Sequence, residues 1–229
     1  MTTQTIVLVM SVSASRNVSN RRIVARTTEL PEQVDLRRAR GRILVAALHL
    51  FADQGYGGTS VRDICGRAGV QPTTMYAHFP SKEDVLAELL RIGHEELYRR
   101  LRSALLDVEP DPRVRLEALV RAHVHSHCEF PMLAVVANAE LHALSEHKSE
   151  SILAVRQQSE SLLVDVLERG VQCGQFKVAD MLLTLRAISA IGTRVAFWYG
   201  PDCGRTPEQI ADTFAAFAAS IVGLPPRSG

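Results

Sequence analysis

The sequence predicts an all-α fold, and three observations carry that expectation. Apolar side chains recur every three to four residues along most of the chain, without the period-two alternation of a half-buried strand. Glycine, proline and Ser-x-x-Asp patterns punctuate these runs as helix stops and starts. Hydrophobic residues make up 46% of the 229 positions but aromatic ones only 5%, so the core must be built mainly from Ala and Leu, which suit helices packed on helices.

The elements follow in order. A first amphipathic helix begins near Leu36, with Ile43, Ala47, Leu50 and Phe51 on one stripe. Gln54-Gly55-Tyr56-Gly57-Gly58 ends it, because glycine takes the left-handed geometry that a stop requires. Ser60 and Asp63 form a capping-box pattern that opens a short helix, Val61 to Ala68, and Gly69 closes it. A third helix starts with Pro72 near its first position, carries Thr73 to Phe79, and stops at Pro80. Ser81 and Asp84 open a long fourth helix to Val108, striped by Val85, Leu86, Leu89, Ile92, Leu97, Leu101 and Leu105. Pro110 and Pro112 lead into a fifth, which runs to about His127. After the Phe130-Pro131 joint, helices are expected over Leu133–Leu144, Ser151–Gln172, Ala179–Tyr199 and Pro207–Val222, about nine in all.

Two short helices around a glycine turn, preceded by a longer supporting helix, form the helix-turn-helix arrangement that places its second helix in the DNA major groove. The runs Thr59-Ser60-Val61-Arg62-Asp63-Ile64, Ala68-Gly69-Val70 and Tyr76-Ala77-His78-Phe79-Pro80-Ser81-Lys82-Glu83-Asp84 resemble the N-terminal domain of TetR-type transcriptional repressors. The resemblance covers about fifty residues in one register. Two positions depart from the usual pattern: Gln71 stands where serine commonly caps the recognition helix, and Thr73 where glycine is common. Both lie at the DNA-facing end, so no operator sequence carries over.

The organisation expected is a flexible arm over 1–33, the helix-turn-helix DNA-binding domain over 34–82, a larger helical ligand-binding and dimerisation domain over 83–224, and a flexible tail over 225–229. Charge agrees with that division. The net charge is +1, yet residues 1–82 hold 11 Lys and Arg against 5 Asp and Glu, while 83–229 hold 15 against 20. A basic reader joined to an acidic body is the expected pattern for a DNA-binding regulator. Cys65, Cys128, Cys173 and Cys203 form no CxxC pair and are expected as reduced thiols in a cytoplasmic, nucleoid-associated protein. No apolar run approaches the length of a membrane span, so no membrane partner is expected. An enzyme is not expected: the chain has no GxSxG, no P-loop and no dinucleotide fingerprint, and no cofactor is implied.

The resemblance implies DNA contacts. Tyr76, His78 and Lys82 match positions that hold the phosphate backbone. Arg40 and Arg42, with Arg37 and Arg38, open the first helix beside an adjacent groove. Arg62, Gln71, Thr73 and Thr74 are the candidates for base edges, since Gln suits adenine, Arg suits guanine and the threonine methyl suits thymine. Ser60 and Pro72 complete that surface. The last two helices carry the stripes Leu185, Ile188, Gly192, Val195, Tyr199 and Ile210, Phe214, Phe217, Ile221. Such stripes seal helices together, either within one subunit or with their copies in a four-helix homodimer interface, and the resemblance points to the dimer. A dimer reads a palindromic double-stranded operator.

The resemblance further implies an effector pocket in the second domain. Gly192 to Tyr199 and Thr206 to Ala211 are similar to the ending of actinobacterial members that control lipid and sterol catabolism, which points to a small hydrophobic or acyl-CoA-type effector with Arg121, Arg156 or Arg194 as anion partners. Two alternatives remain open. His123 and His127, four apart on one helix, have the spacing of a metal pair in a metal-responsive repressor. A non-specific architectural DNA binder is the other, although it has no need of so large an apolar helical body.

Overall fold

A computed structural model describes residues 30–32 and 34–225. The expected arm over 1–29 lies outside the described residues, as does the tail beyond 225. Among the described residues the chain is helical throughout, in nine α-helices and one 3-10 turn.

The reader comprises α1 (Ala39–Gln54), α2 (Val61–Ala68) and α3 (Pro72–His78). Its local signals act as the sequence anticipates. Gly55 ends α1 at φ 76°, and Gly69 ends α2 in the left-handed region at φ 64°, ψ 40°. At the start of α2 the Ser60 hydroxyl accepts from the Asp63 amide at 3.2 Å, and the Ser60 amide donates back to Asp63 at 2.9 Å. Leu30 and Pro31, assigned above to the arm, are instead buried, and Leu30 joins the core of the reader.

The body begins with α4 (Lys82–Leu106), α5 (Pro112–Glu129) and α6 (Pro131–Ala139). After the 3-10 turn Leu141–Ala143 it continues with α7 (Glu146–Gln172), α8 (Met181–Trp198) and α9 (Pro207–Ile221). Two boundaries differ from expectation. The single helix foreseen over Leu133–Leu144 is α6 followed by the 3-10 turn, and α7 starts at Glu146, five residues before Ser151. The cause of the early start is tertiary. The Ser145 amide, at the N-cap of α7, donates to the Glu83 carboxylate of α4 at 2.7 Å, and Lys148 pairs with both Glu83 and Asp84. A negative group from another helix thus stabilises the positive end of α7.

No break in the core separates reader from body. One buried cluster joins α1 (Ile43, Leu44, Phe51) through α4 (Val85, Leu86, Leu89) to α6 (Leu133, Val136). A second fills the space between α5, α7, α8 and α9, with Leu116, Leu167, Ile188 and Ala215 at its centre.

This second core corrects the expected interface. Leu185, Ile188, Gly192 and Val195 of α8 and Ile210 of α9 are buried within the subunit. The stripe they form seals α8 and α9 onto the body. Tyr199 and Phe214 are half-buried, whereas Phe217 and Ile221 stay exposed. A different face of α8 carries exposed Leu182, Leu183 and Trp198. Apolar residues on both faces make α8 long and apolar enough, by length and composition, to cross a membrane, which the sequence reading overlooked. Packing explains that composition, because one face lies on the subunit core while Arg186 and Arg194 stand exposed on the other.

Two glycines should report opposite effects in thermal unfolding without DNA. At Gly170 an added Cβ would lie 2.0 Å from the buried Phe176 ring, so Gly170→Ala should destabilise the chain; overpacking of this kind costs about 1–3 kcal/mol. At Gly66 nothing lies within 4 Å of an added Cβ. Gly66→Ala should raise the melting temperature, with a gain of about 0.5–1 kcal/mol from helix propensity.

Candidate nucleic-acid interface and effector cavity

The reading helix is short, so its direction depends on what anchors it. Met75 is fully buried, with its sulfur 3.7 Å from the Cys65 sulfur of α2, and Phe79 is buried just beyond its end. With those two side chains turned inward, Gln71, Pro72, Thr73, Tyr76 and His78 are exposed, and Thr74 is half-buried. The Gln71 side chain forms no cap hydrogen bond, which leaves its amide available to a base edge. Arg62 is exposed on α2. These seven residues are brought together on α2, α3 and the turn between them.

The other four candidates are engaged with the protein. Ser60 is spent on the capping box. Arg40 reaches Glu88 of α4 at 2.6 Å and stacks over the Phe79 ring at 5.0 Å. Arg42 donates to the carbonyls of Ala68 and Arg37 at 3.4 and 3.1 Å, linking the starts of α1 and the end of α2. Lys82 donates to the carbonyls of Tyr56 and Thr59 at 2.8 and 2.7 Å and lies 4.0 Å from the centre of the Tyr56 ring. Burial holds its pKa below the ordinary lysine value. The geometry makes Lys82 a pin between the α1–α2 turn and the first turn of α4. Local sequence does not reveal this, since the carbonyls it binds lie 23 and 26 residues earlier.

The body contains a cavity of about 90 Å³ between α4, α5, α7 and α8. Leu97, Leu101, Leu119, Val120, Leu163 and Ile188 supply its apolar wall, with polar atoms from His94, His123, Asn138, Ser159, Ser189 and Thr193. Of the three arginines considered, Arg156 lines it, beside Glu160 at 3.4 Å. Arg121 turns to Asp212 at 2.7 Å, and Arg194 stacks over Phe197 at 4.3 Å. Neither Arg121 nor Arg194 lines the cavity.

His94 went unnoticed in the sequence. The available signal was a histidine on the same face of α4 as Leu90, Leu97 and Leu101, at spacings of four, three and seven. His123 and His127 do not behave as a metal pair. Their rings meet edge to face at 4.4 Å, and the His127 Nδ1 lies 3.0 Å from the His123 carbonyl. Among the described residues no three His, Cys, Asp or Glu side chains are grouped to hold a metal, and the metal-responsive alternative is not supported.

A helix-turn-helix reader sharing a core with a helical body that encloses a cavity defines a one-chain transcriptional regulator. Residues 43–89 match the family described as bacterial regulatory proteins, tetR family, and residues 109–222 match the tetracyclin repressor-like C-terminal domain. The HTH-type transcriptional repressor KstR2 of Mycobacterium tuberculosis is 32% identical over 186 residues, covering 80% of this chain and 92% of that protein. The KstR2 repressor of Mycolicibacterium smegmatis is 30% identical over 183 residues, covering 77% and 87%. The solved structure of the ketosteroid transcriptional regulator KstR2 of M. tuberculosis superposes with a TM-score of 0.73 at 30% identity, covering 82% of this chain and 96% of that one. A tetR-family regulatory protein from Rhodococcus RHA1 gives a TM-score of 0.76 at 28% identity, covering 82% and 98%. The chain belongs to the TetR family: it is a DNA-binding transcriptional regulator and not an enzyme.

Two outcomes test this geometry. Lys82→Ala should lower the stability of the DNA-free protein by about 1–2 kcal/mol, as loss of a charged donor to two carbonyls requires. A Lys82→Ala protein with an unchanged unfolding midpoint would remove its role as a pin. The second outcome concerns pH. Burial pulls His94 down to about 4 and His127 well below the ordinary histidine value. The unfolded chain therefore binds protons near pH 6.5 that the folded chain refuses. Stability should be full above that pH and fall toward pH 4, by about 1.4 kcal/mol per pH unit for each histidine. Urea melts between pH 7 and pH 5 measure this, and His94→Leu should flatten the slope.

Proposed function

We propose that the chain acts as a homodimeric repressor that binds a palindromic operator and is released by a small effector held in the α4–α5–α7–α8 cavity. The observation that carries this reading is the span of α4. Its first turns pack in the core of the reader through Val85, Leu86 and Leu89, and its middle lines the cavity through His94, Leu97 and Leu101. An occupant that displaces the middle of this helix acts on the reader without any intermediate element. The clasp of Glu83 and Asp84 with Ser145 and Lys148 ties α7, another wall of the cavity, to the same end of α4.

The dimer reading rests on exposed apolar surface. Leu183, Ala187 and Ala190 of α8 are exposed at spacings of four and three, and Phe217 and Ile221 of α9 are exposed four apart. Paired with their copies, these faces supply a four-helix seam, and the small alanines permit close approach. This face replaces the buried stripe expected from the sequence. For the effector, the apolar wall suits a hydrophobic body, and Arg156 at the cavity suits an anionic end such as that of an acyl-CoA. The name of the KstR2 relatives, ketosteroid regulators, agrees with a lipid-derived effector. On DNA, Gln71, Thr73, Thr74 and Arg62 read bases, while Tyr76 and His78 hold phosphates, and Arg40, Arg42, Ser60, Pro72 and Lys82 set the position of the helices.

Selection of bound DNA from a random pool at near-physiological salt tests the operator. A single enriched palindrome is expected, whereas salt-sensitive binding without enrichment would favour the architectural alternative. Gln71→Ala or Thr73→Ala should change the preferred sequence; Tyr76→Phe should weaken all sequences alike. Phe217→Arg should yield a folded monomer in sedimentation that no longer binds the palindrome. Leu185→Ala should instead lower stability by about 2–5 kcal/mol, as a buried leucine truncation does.

A further inference from the structure

We infer that the inner end of the effector cavity is a subsite for a hydrogen-bond donor, a hydroxyl group on an otherwise apolar effector, accepted by the Nε2 atom of His127. The inference rests on the reading of the larger cavity as the effector site. It names the chemistry of one end of the molecule held there.

A second, smaller cavity of about 20 Å³ lies against the first, and His94, Leu97 and Asn138 line both. A space of that size admits one polar group of about the dimensions of a water molecule. Most of its wall is apolar, including Phe130, Leu133 and Ala137. The imidazoles of His94 and His127, with Ser126, Asn138 and Glu96, break that wall. His94 is 4% exposed and His127 is 3% exposed, and the Nε2 atom of each has no hydrogen-bond partner among the described residues.

The opposite ring nitrogen fixes the tautomer of His127. Its Nδ1 lies 3.0 Å from the His123 carbonyl oxygen. A carbonyl oxygen accepts and never donates, so Nδ1 carries the hydrogen. A neutral imidazole has one donor and one acceptor, which leaves His127 Nε2 as a bare lone pair. Burial keeps the ring neutral, so this nitrogen does not become a donor near neutral pH.

Neighbouring groups do not fill the demand. Asn138 gives its Nδ2 to the Ala134 carbonyl at 2.8 Å, and the Glu96 carboxylate on the rim is bound by Arg99 and Arg100. An unpartnered acceptor in a mostly apolar wall calls for a donor. A ketone, ether or carboxylate brings only further lone pairs and is repelled, whereas a hydroxyl donates its proton to Nε2. Arg156 lines only the larger of the two cavities, so an effector can carry a hydroxyl at its inner end and an anion toward the arginine.

Isothermal titration of the full chain with 1-hexanol, 2-hexanone and hexanoate tests the subsite. Hexanol should bind about tenfold more tightly than hexanone, the discrimination expected when one buried hydrogen bond is made or left unmade. His127→Leu should bring hexanol down to the level of the ketone while ketone binding persists. Equal binding of alcohol and ketone to the unaltered chain overturns the subsite and leaves the effector cavity standing. Failure of all three probes to bind, or binding indifferent to filling the larger cavity by Leu163→Trp, overturns both. Imidazole nitrogen NMR of the unaltered protein gives an answer independent of any variant. An acceptor-type Nε2 signal for His127 supports the subsite, and a protonated His127 Nε2 overturns it.

Discussion

The packing of α4 against α1 is the constraint on which the rest of the molecule depends. Val85, Leu86, Leu89 and Leu90 are fully buried in one cluster with Ile43, Leu44 and Phe51. Because α4 continues unbroken for 25 residues, a rod of about 37 Å, the orientation fixed in the reader is imposed on the cavity wall. Helix-turn-helix and cavity are therefore not two beads on a linker. They are two ends of one helix, and α6 extends the same core into the body.

Charge is used in two distinct ways. The arginines and the lysine nearest the reader in sequence are largely turned inward: Arg40 to Glu88, Arg42 to the end of α2, Lys82 to the α1–α2 turn. Each satisfies carbonyl or carboxylate groups and holds a helix in place. The surface of α3 is polar and mostly uncharged, which suits discrimination among bases more than indiscriminate attraction to phosphate. In the body, the ion pairs of Lys148 with Glu83 and Asp84 join α7, one wall of the cavity, to the start of α4. Isolated pairs on the surface contribute little to stability. Their position at a junction between helices gives them consequence for coupling.

The buried histidines show the same economy of placement. His94 and His127 arise from two helices with ordinary apolar periodicity, and both come to line one small cavity only after α4 and α5 have packed. A neutral imidazole with one nitrogen committed to a carbonyl, as His127 has, is a direction-specific acceptor. A mostly apolar cavity thereby presents a polar group that carries no charge.

Local grammar in the sequence determined the helices of the reader almost to the residue. Ser60 with Asp63, Gly69 and Pro72 act within three or four positions of themselves, so α2 ran from Val61 to Ala68 as anticipated. The family was legible for the same reason, since its motif lies in one continuous register. Periodicity also revealed that α8 and α9 are amphipathic, but not which partner each face meets. Leu185, Ile188 and Val195 went to the subunit core, and Leu183 and Phe217 to the outside. A stripe records that a face is buried, while the choice between internal and external burial depends on helices far away in the chain. The pin at Lys82 and the early start of α7 under Glu83 were likewise decided by tertiary structure alone. Each depends on a hydrogen bond between residues that only the packing of the helices brings within reach, and no spacing along the sequence encodes it.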